Sequence, residues 1–408
     1  MIELDQSQIE AVEQATKRRF SIINGGAGCG KTTIIREISG RLERKGESVA
    51  LCAFAGKAAA RLKEATERPA CTIHSMLGYD GTNFREPPFP ERTVIVDESS
   101  MVNSCLLAEI VRRQPRRLIL VGDQAQLAPV GPGQPFHDII HFIPDTVCTL
   151  TTCYRNSEAV FKAATAIRNG RMPLLHDRSE NESWDVYNTG EAQQTQQVIL
   201  DWIRKGIFDF RQDIILVPKN GERSKETGEI PPCTVERLNE EIVKIVNPRS
   251  SGETRKFLPG DRVINTKNNP DKDIWNGTTG TVHAIDEDGK MWLELDIPIP
   301  DPDRVGGTKD RVLLNKQEQE KLHHAYALTV HKSQGSQYRK VLFVCLKRDA
   351  HNLDRSLVYT AVTRTKQACY VVGQVEALAQ SLQQMKSKQT VIQLMMQDKF
   401  QELAGRVK

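Results

Sequence analysis

Apolar runs and mixed helical stretches alternate along the first third of the chain. "FSIIN" (20–24) reads as a buried strand, and "KTTIIREISGRLERKG" after it as a helix. "SVALCAF" (48–54) is followed by the helical "GKAAARLKEAT". "TVIVD" (93–97) precedes the helical "SCLLAEIVRRQ", and "RLILVGD" (117–123) closes the series. Strand–helix alternation with short turns predicts a parallel sheet covered by helices. One stretch interrupts it: "GYDGTNFREPPFPER" (78–92), rich in Gly, Pro and Asn, predicts a short insertion, a hairpin turning at Asp80-Gly81.

The alternation starts again near residue 151, with "DIILVP" (213–218) as strand and "TVERLNEEIVKIVNP" as a helix closed by Pro248. From about 257 to 318 the pattern changes. Short Val/Ile/Thr runs separated by Asn-Gly and Asp-Gly predict a small antiparallel barrel. Strand-like "AYALTV", "KVLFVCL" (340–346) and "ACYVVG" (368–373) follow, so the barrel is inserted into a second α/β domain. The expected division is 1–150, then 151–256 with 319–408, with 257–318 as the barrel. No internal repeat or low-complexity tract is evident.

Composition narrows the classes. A chain of 408 residues is too long for one ordinary core, and two to four domains are expected. No apolar run is long enough to cross a bilayer, and the acidic, polar opening "MIELDQSQIEAVEQ" is not a signal peptide. Nine dispersed cysteines without a C-x-x-C pair suit a reducing cytoplasm and offer no zinc site. A net charge of +4 permits nucleic-acid binding without arguing for it.

The chemistry concentrates in a few turns. "GGAGCGKTT" (Gly25, Gly26, Ala27, Gly28, Cys29, Gly30, Lys31, Thr32, Thr33) satisfies G-x-x-x-x-G-K-[ST] and sits between a strand and a helix. Glycines let backbone N–H groups close around phosphates, and the helix N-terminus adds partial positive charge. Lys31 is placed for the β/γ-phosphates of ATP and Thr32 for Mg2+. A P-loop needs an acid at the end of a nearby buried strand. "TVIVDE" supplies Asp97 for the metal and Glu98 as a base for the attacking water. The pair points to hydrolysis, since no acceptor site of a kinase is visible. "HDIIH" (137–141) resembles a zinc-protease pair, but its acid is Asp and a third ligand is missing, so no metal is expected there. In "YALTVHKSQGSQ" (326–337) a core strand ends in a dense set of polar groups around Gly335. A solvated turn and a ligand loop both fit those residues alone.

Taken in order, "Q8-IEAV", "GGAGCGKTT", "GKAAARL", "TIHSML", "VIVDESSM", "LVGDQAQLAPVGPG", "TTCYRNS", "GDRVINTKNN…NGTTGTV", "HAYALTVHKSQGSQ" and "YTAVTRTK" span nearly the whole chain. This ordered set resembles superfamily 1 DNA helicases of the RecD-like branch, which includes the phage Dda helicase. The resemblance implies an α/β protein of two RecA-like P-loop domains, ATP between them and single-stranded DNA across the top. It also implies a short hairpin insertion in the first domain and a barrel resembling Src-homology-3 in the second.

Site roles then follow from the resemblance, residue by residue. Gln8 matches an adenine-reading glutamine, and Gln126 a γ-phosphate sensor. Arg155 and Arg364 match two arginines that reach ATP from the second domain, and Tyr154 a base-stacking neighbour. "TVHKSQGSQ" becomes the coupling loop: His331, Lys332 and Ser333 face DNA, and Gly335 approaches the γ-phosphate. Lys57, Thr72 and His74 are further expected DNA contacts. RecD-like proteins commonly carry Pro-Thr before "GKAA"; here Phe54-Ala55 stands there, and Phe54 is either a base-stacking residue or the buried end of its strand. Phe84, nearest the turn of the insertion, is the expected tip of a strand-separating element.

The implied function is an ATP-dependent DNA helicase moving 5′→3′ on single-stranded DNA and unwinding tailed duplexes. A translocase or recombination mediator that never separates strands, or an RNA helicase, would carry the same motifs. A cytoplasmic monomer working beside replication or recombination proteins is expected. The short N-terminal approach to Gln8 is Dda-like and points to a phage origin.

Overall fold

The computed structural model describes residues 4–81, 83–84, 93–152, 158–221, 223, 228–249, 255–300, 307–385 and 390. The chain divides into two compact units, one of residues 1–156 with 385–408 and the other of residues 157–384.

The first unit contains, in chain order, α1 (Gln6–Lys17), β1 (Phe20–Gly25), α2 (Lys31–Glu43), β2 (Val49–Ala53), α3 (Gly56–Thr66), β3 (Ala70–Thr72), α4 (Ile73–Met76), β4 (Thr93–Asp97), α5 (Ser104–Arg112), β5 (Arg117–Gly122), α6 (Pro135–Phe142) and β6 (Val147–Leu150). The strands form one parallel sheet in the order β3-β2-β4-β5-β1-β6. Parallel neighbours need crossovers, which the helices supply. Helices exclude water from the central strands, so "TVIV" and "RLILVG" are buried throughout. Ile22, Val94, Val96, Leu118, Leu120 and Phe136 fill one face of that core. Every strand of a parallel sheet ends on the same side, so the turns after β1, β4 and β5 gather there.

In the inserted stretch, Asp80 N–H donates to Asn83 O (3.1 Å) and Asn83 N–H to Asp80 Oδ1 (2.8 Å), so the expected turn at Asp80-Gly81 is present. Thr82 and residues 85–92, including the rest of the expected hairpin, lie outside the described residues.

The second unit contains α7 (Ala159–Arg168), β7 (His176–Arg178), β8 (Ser183–Asn188), α8 (Ala192–Arg204), β9 (Ile214–Val217) and α9 (Val235–Val246). Next come β10 (Arg262–Asn265), β11 (Thr279–Ile285), β12 (Met291–Pro300), β13 (Thr308–Leu314), α10 (Lys316–Gln319) and β14 (Leu322–His324). The unit ends with β15 (Ala327–Thr329), β16 (Tyr338–Cys345), α11 (Arg355–Val362), β17 (Thr365–Gly373) and α12 (Val375–Gln383). Its main sheet runs β15-β9-β16-β17-β8-β7, parallel except for β7, which pairs antiparallel with β8. Tyr326, Leu342, Val344 and Ile242 lie in its core.

Between α9 and β15 the chain leaves to build the antiparallel sheet β13-β12-β11-β10-β14 around Val263, Val282, Met291, Leu293 and Val312. This is the expected barrel, and it takes its fifth strand from Leu322–His324. Among the described residues no helix is long and apolar enough to cross a membrane.

Candidate functional site

The glycine-rich loop is built by backbone geometry. Gly28 (φ 79°) and Gly30 (φ 75°) occupy the left-handed region, where a Cβ is disfavoured. Gly30 is also the N-cap of α2, so the first N–H groups of that helix lack helical partners and face the loop. Lys31 Nζ donates to Gly25 O (2.8 Å) and Gly26 O (2.9 Å), which holds the amine across the loop. Thr32 and Thr33 follow in the first turn, half-buried.

Gln8 is more deeply built in than a sequence reading suggests. It is 2% exposed, its Nε2 donates to Cys29 O (3.2 Å), and its Oε1 accepts from Asp5 N–H (3.2 Å). The side chain thus closes the capping box of α1 and fastens that helix to the loop.

Two carboxylates end β4. Asp97 is held well above the usual carboxylate range, first by burial and then by the charge of Glu98; Lys31 and Arg61 oppose the shift. Glu98 sits at φ 51°, a left-handed conformation that costs a side-chain-bearing residue about 1–3 kcal/mol. Its buried Oε2 has no hydrogen-bond partner. A strained residue with an orphan carboxyl oxygen is a poor structural choice and a good chemical one. Ser99 Oγ fixes the turn by donating to Val96 O (2.8 Å).

The turn after β5 carries Gln126, which is 4% exposed, and its N–H donates to Asp123 O (3.1 Å). Asn24 Oδ1 accepts from Gln124 N–H (3.1 Å), tying this turn to β1. On the other side, His137 Nε2 donates to Gln124 O (2.9 Å). Burial pushes the His137 pKa down. His137 therefore supports the turn that carries Gln126, while His141 is exposed at the end of the same short helix. No group of three metal-ligating side chains occurs among the described residues.

The expected DNA contacts of this unit form one aromatic group. His74 lies 6.2 Å from Phe54, 5.5 Å from Tyr79 and 6.1 Å from Phe84 between ring centroids, and Tyr79 and Phe84 are 4.8 Å apart. Phe54 and Phe84 are half-buried against the core that contains Ile73 and Leu77. Phe84 therefore packs on the core of its own unit. Burial lowers the His74 pKa, which disfavours the charged ring. Thr72 is the N-cap of α4, accepting from Ser75 N–H (3.1 Å), and Lys57 is half-buried in the first turn of α3.

In the second unit the apolar run 326–330 ends in a short turn over His331–Ser333. His331 and Lys332 are exposed. Ser333 is not: its hydroxyl donates to Val330 O (2.7 Å) and the residue is fully buried, so it shapes the turn and offers DNA no surface. Gly335 (φ 73°) lies buried behind it. Arg364, 4% exposed, spans Thr360 O (3.1 Å), Thr363 Oγ1 (3.3 Å) and Ser336 O (3.4 Å). The arginine expected at ATP thus rests on the coupling loop. Arg155 and Tyr154 lie outside the described residues.

One positioning residue escaped the sequence reading. β15 is an edge strand, and Asn239 of α9 satisfies its open side. Asn239 Oδ1 accepts from Tyr326 and Ala327 N–H (2.9 Å each), and its Nδ2 donates to Ala327 O (3.0 Å). The signal was a polar residue on the apolar face of "VERLNEEIVKIV".

Family models match three consecutive parts of the chain. An AAA domain covers residues 3–185, an ATP-dependent RecD-like DNA helicase SH3 domain 238–294, and a UvrD-like helicase C-terminal domain 324–372. The chain is 31% identical over 384 residues to the ATP-dependent RecD2 DNA helicase of Deinococcus radiodurans, covering 92% of this chain and 50% of that protein. It is 30% identical over 407 residues to the RecBCD enzyme subunit RecD of Mycobacterium tuberculosis, covering 90% and 68%. The chain thus spans about half to two thirds of the length of these relatives. Among solved structures, Bacteroides Pif1 bound to ssDNA shares the fold, with a TM-score of 0.53, 18% identity and coverage of 93% and 94%. With its ordered motifs, its inserted barrel and its RecD relatives, the chain belongs to the RecD-like family of superfamily 1 DNA helicases.

Proposed function

We propose that this chain hydrolyses ATP to move along single-stranded DNA in the 5′→3′ direction and unwinds tailed duplexes. The carrying observation is the Asp97–Glu98 turn: two adjacent half-buried carboxylates, Glu98 in a left-handed conformation and Asp97 within reach of the charge of the P-loop lysine. Lys31 and the N–H groups of the loop bind the phosphates. Glu98, with its orphan oxygen, takes the proton of the attacking water. Gln126 orients that water, and Arg155 and Arg364 stabilise charge on the transferred phosphoryl group. The hydroxyl of Thr32 and the carboxylate of Asp97 form the hard-oxygen donor set that magnesium takes alongside water and phosphate, and the ion would neutralise phosphate charge. Gly335 approaches the γ-phosphate and Gln8 lies beside the base site. Lys57, Thr72, His74, Phe54, His331 and Lys332 line the DNA path.

The relatives' names, a RecD2 DNA helicase and a RecBCD subunit, support the DNA reading over an RNA one. A cytoplasmic monomer acting in replication, recombination or repair fits that reading. The test is Glu98→Gln in purified protein. ATP binding is expected to persist, while DNA-stimulated hydrolysis falls at least about a hundredfold; hydrolysis at the parental rate would refute the assignment. Duplexes with a 5′ or a 3′ tail test direction, and a forked duplex left intact would favour the translocase alternative.

A further inference from the structure

The turn after β5 is held by its main chain rather than by the side chain it presents. Gln126 is 4% exposed, and among the described residues its amide makes no hydrogen bond. Its N–H donates to Asp123 O (3.1 Å), and Ala125 N–H donates to Asp123 Oδ1 (3.0 Å). Those bonds close the turn on itself and leave its place above the sheet unset. Gln124 sets it. The Gln124 side chain is exposed, while its main chain is gripped twice: Asn24 Oδ1 accepts from its N–H (3.1 Å), and His137 Nε2 donates to its carbonyl (2.9 Å). A carbonyl only accepts, so Nε2 carries the hydrogen.

Both grips come from fixed parts of the unit. Asn24 is 1% exposed, pairs in register with Gly122 of β5 and Thr149 of β6, and directly precedes Gly25, whose carbonyl holds the Lys31 amine. His137 is placed by the close approach of α6 to the end of β5: a Cβ on Gly122 would stand 2.9 Å from the Phe136 ring and 3.1 Å from Ser100 N. A polar side chain buried in a strand is disfavoured unless it bonds. Among the described residues the bond to Gln124 is the one the Asn24 side chain makes. One 3.1 Å bond therefore links the strand end that starts the P-loop to the turn that carries Gln126.

We propose that Asn24 and His137 are positioning residues for ATP hydrolysis: together they clamp the main chain of Gln124 and so set where Gln126 stands relative to the P-loop. A misplacement of about 1 Å can cost about 10²-fold in rate. A glutamine whose amide is otherwise unbonded depends on its backbone for its place. This rests on the hydrolysis reading above and adds to it the residues that keep Gln126 in position.

The test uses the full chain with saturating oligothymidylate and reads steady-state ATP hydrolysis beside the binding of a fluorescent ADP. Asn24→Ala and His137→Leu are each expected to lower kcat about tenfold or more, with ADP affinity kept within about twofold, since ADP lacks the phosphate around which Gln126 acts. In a Gln126→Ala background neither is expected to lower kcat further, because the residue they position is gone. His137→Gln, which keeps a donor, should lose less than His137→Leu. Losses that multiply in the double variants, a parental kcat in either single variant, or a fall in ADP affinity as large as the fall in kcat would overturn the clamp and leave the general function standing. A parental kcat in Gln126→Ala would overturn the role of Gln126 and the clamp together. Absence of DNA-stimulated hydrolysis in the parent itself would overturn the hydrolysis reading with them.

Discussion

The P-loop and the coupling loop are the same device made in two ways. Each follows a buried strand of a parallel sheet, and each turns at a glycine in the left-handed region: Gly28 and Gly30 in one, Gly335 in the other. The P-loop gets its shape from consecutive residues, with glycines, a helix start and a lysine folded onto its own loop carbonyls. The coupling loop gets its shape from residues far away in sequence. Asn239 holds the strand before it, and Arg364 supports Ser336 behind it. A loop made locally is tuned to a fixed ligand such as phosphate. A loop held from outside can respond to what happens to its supports.

That contrast predicts its largest effect at Arg364. An arginine that stabilises transition-state charge contributes roughly 10³–10⁵ in rate, and a lysine lacks its planar fork. Arg364→Lys is expected to cut DNA-stimulated turnover by about 10³ while leaving nucleotide binding at the P-loop nearly unchanged. Steady-state hydrolysis with a fluorescent-nucleotide titration checks both halves. A tenfold loss or less would mean that Arg364 serves the coupling loop alone.

Asn239→Ala comes next. It leaves two strand N–H groups and one carbonyl without their partner, at about 1–3 kcal/mol for each group that stays buried and unpaired. The variant should melt earlier and lose DNA stimulation before it loses DNA-independent hydrolysis. Asn239→Asp keeps the acceptor for Tyr326 and Ala327 but sets a buried carboxylate oxygen against Ala327 O, so it should recover only part of the stability. Equal loss of both activities in Asn239→Asp would break the idea that the coupling loop is tuned from outside.

Gly28→Ala and Gly335→Ala make a matched pair, since each places a Cβ at φ near 75° for about 1–2 kcal/mol. Gly28→Ala should raise the KM for ATP. Gly335→Ala should raise that KM less and reduce DNA stimulation more. Identical phenotypes would erase the distinction between the loops.

Much of this was legible in the sequence where causes are local. Alternating runs predicted β1, β2, β4, β5, β9, β16 and the barrel, because a strand buried on both faces must be apolar throughout. β8, "SWDVYN", was missed: its buried Asp185 is paired with His176 of edge strand β7, and pattern reading counts such a residue as polar. α8 was missed because "AQQTQQ" hides its apolar face until Val198 and Ile199. Gln8 was read as facing adenine, and only the fold brings Cys29 O to its amide. Ser333 looked like a DNA contact because hydroxyls suit phosphates, yet the turn consumes it. Phe84 was expected at a tip, and the sequence does not show the ring contacts from His74 and Tyr79 that pack it on its own unit. In each case the deciding partner is distant in sequence or supplied by the turn itself.

The smallest effect belongs to His137, where the first unit borrows the second unit's method and holds a loop from a neighbouring helix. Its Nε2 donates to Gln124 O, its buried Nδ1 has no partner, and burial pushes its pKa below the usual 6.5. The unfolded chain therefore takes up a proton at this residue before the folded one does. Above about pH 6.5 neither state is protonated and the term vanishes. As pH falls from there toward the folded pKa, the unfolded state gains the proton and stability drops, since stability rises with pH wherever the unfolded state binds more protons. His137→Gln removes that term and keeps a donor for the Gln124 carbonyl. Melting temperatures of parent and variant should differ little near pH 8, and the gap should move in the variant's favour by about pH 5.5, as the parent alone pays for its neutral ring. His74 and His323 titrate alike in both proteins, so the difference isolates His137. A gap that stays constant across that range would mean that the Gln124 turn is indifferent to the protonation of His137, and that the sensor loop, like the P-loop beside it, is shaped by its own residues.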